Sequence, residues 1–280
     1  MKIFRTEAAA VLVTKGNYYL LEGTDWDQLI NRDHLHAHLQ SVVAKLSPAG
    51  KEKELKNFQI KAPIKSQEIW AAGVTYLRSK TARMEESEAT GGAGFYDKVY
   101  AAERPELFFK SNAYRTVGHL DLVNIRKDST WDVPEPELTL FISSSGNIEG
   151  YTIGNDMSSR SIEGENPLYL PQAKCYDRSA ALGPCMYVPG KPIPQDTQIS
   201  MKILRKASVL FEGDTLISQM KRSHTELAGF LFRECSFPKG VFLMTGTCIV
   251  PGNDVTLKSG DEIQISIDHI GELINFVINY

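Results

Sequence analysis

The stretch from Trp131 to Pro184 reads WDVPEPELTLFISSSGNIEGYTIGNDMSSRSIEGENPLYLPQAKCYDRSAALGP, and its two early prolines exclude a helix at its start. Pro134 and Pro136 lack amide protons and push the residues before them out of the α region, so the piece is predicted to run extended. In an extended chain side chains i and i+2 leave the same face, which aims Glu135 and Glu137 at one point. The apolar, β-prone LTLFI that follows anchors that edge in a core. Asp156 then stands in a Gly-Asn-Asp corner and Lys174 in an Ala-Lys-Cys-Tyr-Asp segment.

Two carboxylates forced together repel, and Asp156 adds a third. Unless a cation sits among them, at least one keeps its proton at neutral pH. All-oxygen donors select a hard ion, Mg²⁺ with Mn²⁺ or Ca²⁺ as substitutes, over zinc or copper. Mg²⁺ held by few carboxylates keeps waters that a substrate can replace. An E-x-E pair is a weak signal by itself. A solvated strand end, with Asp156 as a turn former, stays open on spacing alone.

The order of motifs is more specific. E-P-E, GYTIGNDMSSR, AKCYD with a following Gly-Pro, TGT at Thr245 to Thr247 and SGDEIQISIDHIGELINFV together resemble the fumarylacetoacetate hydrolase family, over roughly Glu68 to Val277. NDMSSRSIEGENPLYLPQAK is most similar to the branch that dehydrates 2-keto-3-deoxy-arabinonate and related pentonates. The resemblance implies Glu135, Glu137 and Asp156 as Mg²⁺ ligands and Lys174 as an active-site cation. It also implies a β-roll with the carboxylates at its mouth and a homodimer or homotetramer. In hydrolytic members a G-x-N-Y-x-x-H segment supplies a histidine that helps activate water; aligning Gly73 and Tyr76 puts Ser79 there. Serine has no pKa near neutrality and cannot take that proton alone, whereas an elimination needs no activated water.

Composition agrees. With 280 residues, 42% of them hydrophobic, the chain has material for a real core in one large domain or two unequal ones. A net charge of −3 gives no electrostatic footprint for nucleic acid. There is no 18-residue apolar run for a membrane, and the six-residue apolar run before Thr14 is too short for a secretory signal. Cys175, Cys185, Cys235 and Cys248 form no C-x-x-C pair and read as reduced. The expectation is a cytoplasmic protein whose partner is a small-molecule 2-keto acid.

In chain order, residues 7–13 and 18–22 flank a hairpin turn at Lys15-Gly16-Asn17. A helix is predicted from Asp25 or Asp27 to Leu46, with His34 and His38 sharing a surface face beside His36. Ser47 to Ser66 reads as a linker between a small α/β N-terminal domain, 1–65, and a catalytic domain, 66–280. Ile69 to Val74 is a buried strand; Glu85, Glu86 and Glu88 fall in a helix; Thr90 to Gly94 is a Gly-rich loop suited to a lid. Lys110 and Arg115 read as strand-edge charges. Lys191 to Thr215 alternates as antiparallel strands do, and Ser223 with Glu226 makes a capping box beside a surface His224. Gly246 breaks a strand, leaving backbone and the Thr247 hydroxyl open to a substrate carboxylate. Two last strands flank Gly271. Many strands without βαβ alternation argue for an α+β chain with a mainly β catalytic domain.

A chemistry follows from these parts. A 2-keto acid chelates a divalent ion through its carboxylate and C2 carbonyl, which acidifies C3. Loss of a C3 proton gives an enolate that the ion and Lys174 stabilise, with Lys174 also placed to act as base. A C4 hydroxyl then leaves as water, and 2-keto-3-deoxy-pentonate becomes 2,5-dioxopentanoate. Glu163 is the candidate acid, with Glu86 as second choice; Arg78, Ser79, Arg160 and Thr247 are candidate substrate contacts. The alternatives are a C–C bond hydrolase of acylpyruvates and a non-enzymatic acid- or sugar-binding protein with a structural cation.

Overall fold

In the computed structural model, which describes residues 1–78, 81, 84 and 93–279, the β-prone runs become strands and most join one sheet. Among the described residues this sheet has 12 strands. Its path runs from Gly50–Lys51 through β3 (Asn17–Leu21), β2 (Ala10–Thr14), β1 (Lys2–Thr6), β8 (Ala180–Tyr187) and β7 (Ile148–Asp156). It continues through β6 (Pro136–Ile142), β11 (Val241–Met244) and β4 (Glu68–Gly73) to β5 (Glu106–Asn112). After β5 a short 3-10 turn leads into Thr116–Val117, which pairs in parallel with β8. The far end of the path is thereby brought back to its middle, and the sheet curls into a roll.

A second sheet of five strands covers one face, in the order β10 (Ser208–Leu216), β9 (Gln198–Arg205), β12 (Glu262–Ile267), β13 (Gly271–Ile278) and Leu122–Asn124. The alternation of Ile263, Ile265 and Ile267 buries all three in one cluster with Leu138, Leu140 and Ile153. On the other face Phe141, Phe242 and Leu182 pack with Ile3, Leu12 and the helices α1 (Trp26–Ile30) and α2 (Leu35–Val43). β6 is covered on both faces and buried at every residue, as its apolar run predicts. The mainly β, α+β expectation holds.

The N-terminal segment is less separate than its sequence suggests. β1 pairs with β8, Lys2 opposite Tyr187, so the sheet crosses the expected 65/66 division, which falls in the loop before β4. The stretch read as a linker is structured: Gly50–Lys51 pairs with β3, and Ile60–Lys61 pairs with β1. The predicted long helix is two. Asp25 caps α1 by accepting from the Gln28 amide, and α2 starts afresh after His34, whose φ of 56° no helix accommodates. His34 thus lies outside the helix, and His38 faces Arg32 at 3.2 Å. His34, His36 and His224 line a cleft of about 670 Å³ remote from the carboxylates. His224 is half-buried, not a surface residue, and burial pushes its imidazole down to about 4.

The hairpin turn at Lys15 and Gly16 is as expected, both with positive φ. Glu85, Glu86, Glu88 and Thr90 to Gly92 lie outside the described residues; α3 (Ala93–Ala101) follows. Ser223 accepts from the Glu226 amide at the start of α6 (His224–Leu231), but the Glu226 carboxylate turns to Arg222 at 2.6 Å, so the box is half closed. Among the described residues no helix is long and apolar enough to cross a membrane.

Candidate active site

The carboxylates meet because of strand register. Glu135 and Asp156 exchange backbone hydrogen bonds at 3.2 and 2.9 Å, so they are direct cross-strand partners at the ends of β6 and β7. Glu137, two residues on, shares that face and lies opposite Gly154. Asp156 ends a strand rather than turning a corner. Ligand oxygens of Glu135, Glu137 and Asp156 lie within 4.8 Å of one another, and all three residues are buried. The solvated strand-end reading fails on that burial.

Basic side chains from three other segments neutralise the cluster. Lys174 ends α5 (Leu170–Lys174) and gives its Nζ to Glu135 Oε2 at 2.7 Å and Asp156 Oδ2 at 3.0 Å. Arg160 opens α4 (Arg160–Glu165) and donates to Glu135 Oε1 at 2.7 Å. Lys110, on β5, reaches Asp156 Oδ1 at 2.6 Å. The Gly246 amide donates to Glu137 Oε2 at 2.6 Å. A narrow pocket above the cluster is walled by Ala72, Gly73, Val74, Phe108, Arg160, Lys174, Gly246 and Thr247.

The charges sort accordingly. Burial, reinforced by the charges of Asp156 and Glu135, pushes the Glu137 carboxyl well above the ordinary range. Burial also opposes ionisation of Asp156, but Lys110 and Lys174 outweigh it and hold that carboxyl below its usual value. Lys174, Arg160 and Lys110 relieve the repulsion at Glu135 and Asp156, and Glu137 is the member pushed toward keeping its proton. Three clustered carboxylates with no nitrogen or sulfur donor among them fit a hard divalent ion. Such an ion needs Glu137 ionised, so its uptake releases a proton. Because the metal-free carboxyl is raised, apparent affinity falls about tenfold per unit as pH drops below the Glu137 pKa and levels off above it. Calorimetric Mg²⁺ titrations across pH, in buffers of differing ionisation enthalpy, read both the slope and the released proton.

Residues 69–278 match the family described as fumarylacetoacetate (FAA) hydrolase C-terminal. The chain belongs to the fumarylacetoacetate hydrolase family. A Haloferax volcanii protein named a probable 2-keto-3-deoxyxylonate dehydratase is 48% identical over 216 residues, 77% of this chain and 73% of that relative. The Saccharolobus solfataricus 2-dehydro-3-deoxy-D-arabinonate dehydratase is 43% identical over 227 residues, 79% of this chain and 76% of the relative. A solved 2-keto-3-deoxy-D-arabinonate dehydratase, complexed with magnesium and 2,5-dioxopentanoate, matches at a TM-score of 0.84 and 33% identity, covering 100% of this chain and 99% of that one.

Within this fumarylacetoacetate hydrolase site the other expected residues divide. Arg160 and Thr247 reach the pocket wall. Glu163 is buried behind it, accepting from Ser158 Oγ at 3.1 Å with Arg160 Nε at 3.9 Å. Arg78 is exposed and off the wall, whereas Ser79 and Glu86 lie outside the described residues. Arg115 pairs with Asp177 at 3.2 Å. Lys110 corrects the strand-edge reading, being wholly buried in the cluster. Burial pushes its ammonium down against the pull of Asp156, which it meets at 2.6 Å, while it donates to the carbonyls of Met157 and Lys174. Glu106 is not singled out by sequence. It sits opposite Gly73 in the β4–β5 register, and its carboxylate lies so close that a Cβ on Gly73 would be 2.0 Å from Oε2. A glycine paired with an acid at a strand end is the signal that could have found it.

Gly246 has a φ of +95°, and a Cβ there would be 2.0 Å from Thr75 Oγ1 and 3.0 Å from the Ala72 carbonyl. Its amide serves Glu137 rather than standing open to substrate. Gly246→Ala is expected to cost about 2 kcal/mol of stability, read from the denaturant midpoint, and to weaken Mg²⁺ binding by displacing the Glu137 donor.

Proposed function

We propose that this chain dehydrates 2-keto-3-deoxy-pentonate to 2,5-dioxopentanoate with magnesium held by Glu135, Glu137 and Asp156. The observation that carries the reading is the buried carboxylate triad with Lys174 beside it at the floor of a narrow pocket. The dehydratase names of relatives 43% and 48% identical support the same reaction. A ketone at C2 and a methylene at C3 leave C4 as the only stereocentre, so the xylonate and arabinonate names of the D series describe one 2-keto-3-deoxy acid.

Magnesium, when bound, supplies a Lewis acid for the 2-keto group. The side chains do the rest. Lys174 faces the pocket where C3 is presented and moves the C3 proton. The electron pair shifts toward C2 and expels the C4 hydroxyl, which needs a proton to leave as water. Glu106 is our candidate for that acid, because its carboxylate lies against Gly73 on the pocket wall. Glu163 is better placed to hold Arg160. Arg160 and Thr247 are proposed to orient the keto acid, and Phe108 and Val74 limit entry of water. A C5 proton then moves to C3, and the resulting C5 enol becomes the aldehyde.

The test is purified protein with Mg²⁺, offered 2-keto-3-deoxy-D-pentonate and an acylpyruvate separately. Loss of water with five carbons retained supports the dehydratase. Pyruvate from the acylpyruvate, with the sugar acid untouched, transfers the chain to C–C hydrolysis; no turnover of either, with collapse of the fold on chelation, makes it a binding protein.

We further propose a cytoplasmic homo-oligomer, dimer or tetramer, in which 1–65 is an N-terminal lobe and 66–280 the catalytic domain. Pocket residues all follow residue 71, and the four cysteines are unpaired. Sedimentation at micromolar concentration reads the subunit number.

A further inference from the structure

We propose that Lys110 is a positioning residue for the dehydration, acting through Asp156 and Lys174 and touching neither substrate nor metal. The proposal rests on the dehydratase reading. Lys110 is 0% exposed, a setting in which lysine is rare without a dedicated set of partners. Its ammonium donates to the Met157 carbonyl at 2.9 Å and the Lys174 carbonyl at 2.5 Å and forms an ion pair with Asp156 Oδ1 at 2.6 Å. Lys110 is off the pocket wall, with its ammonium turned to these partners.

All three partners belong to the site. One contact fixes the rotation of the Asp156 carboxylate, turning Oδ2 toward Lys174. The second holds the backbone just after Asp156. The third pins the last residue of α5, a five-residue helix that one turn of hydrogen bonds cannot hold rigid. Lys110 thus ties the end of β7 to the end of α5 and sets the separation of a metal ligand from the residue that moves the proton. A merely space-filling role would be met by an apolar side chain of similar length without burying a charge.

Lys110→Met is expected to fold, by circular dichroism. It should lose about 100-fold in kcat with KM for the sugar acid within about threefold, the pattern of a displaced catalytic group. Mg²⁺ affinity without substrate, by calorimetry, should fall about tenfold. Combined with Lys174→Met at saturating Mg²⁺, it should lower kcat no further than Lys174→Met alone, because with the metal bound the remaining effect acts through that residue. Unchanged kcat well below the melting temperature, losses that multiply in the double variant, or Mg²⁺ binding that is unchanged or tighter would each overturn the proposal. If Lys110→Met does not fold, Lys110→Arg keeps the charge and donors in a longer, planar head. The same losses are expected of it in a folded chain, and full retention overturns the proposal. A wild-type protein that dehydrates nothing removes the functional reading, while the Mg²⁺ comparison still decides whether Lys110 positions Asp156.

Discussion

Asp156→Asn is expected to remove magnesium binding at millimolar concentration, and with it measurable turnover, while lowering the melting temperature of the metal-free protein by on the order of 10 °C. The two losses share one cause. Asp156 is buried and supplies one oxygen to Lys110 at 2.6 Å and the other to Lys174 at 3.0 Å. An amide keeps the shape and withdraws the charge, so two ammonium groups that are 0% exposed lose their shared counter-ion. Removing one partner of a buried ion pair costs about 3–5 kcal/mol, because the other is left uncompensated. A hard divalent ion loses one of three anionic donors at the same time. Calorimetry and thermal melts of the metal-free variant test both parts. Wild-type Mg²⁺ affinity in Asp156→Asn would remove Asp156 from the ligand set, whatever the melting temperature does.

Lys174→Met is expected to behave in the opposite way, keeping the metal and losing the chemistry. Lys174 contacts two of the three carboxylates and lines the pocket, so its removal takes a competing cation away from the prospective ligands. Mg²⁺ binding is therefore expected to persist or tighten. The kcat should fall about 1000-fold, the range for loss of a group that moves a proton and faces developing charge. A substrate-dependent split, with KM little changed, places the loss in the transition state. Turnover within tenfold of wild type would return proton transfer at C3 to another side chain. Comparing the two variants separates holding the ion from using it.

Much of this site is legible in the amino-acid sequence alone. The E-P-E run states its own geometry, because each proline removes a donor and restricts its predecessor, and i, i+2 spacing does the rest. LTLFI reads as buried and is buried throughout. The paired strands around Gly271 and the hairpin at Gly16 follow from local turn chemistry.

Other features are not legible there, for a common reason. Lys110 and Arg160 look like any surface base in a strand or helix start. They become counter-ions only because the segment after β5, Thr116–Val117, is carried back against β8 and the Arg160 amide bonds the Trp131 carbonyl at 2.8 Å. Glu163 and Arg160 are three residues apart, and their spacing does not say which faces the pocket; the fold puts the arginine forward and the glutamate behind. Likewise Lys2 opposite Tyr187 joins segments that local pattern assigns to separate domains.

The sequence by itself determined where the chain runs extended and which acids share a face, since these depend on steric rules acting over two or three residues, and the order of its motifs carried the family pattern. Only the tertiary structure decided which bases neutralise which acids, which carboxyl is pushed toward its proton and which acid stands against Gly73. Those outcomes depend on register and burial between segments distant in the chain, where a shift of one residue in a strand would send its side chains to the opposite face.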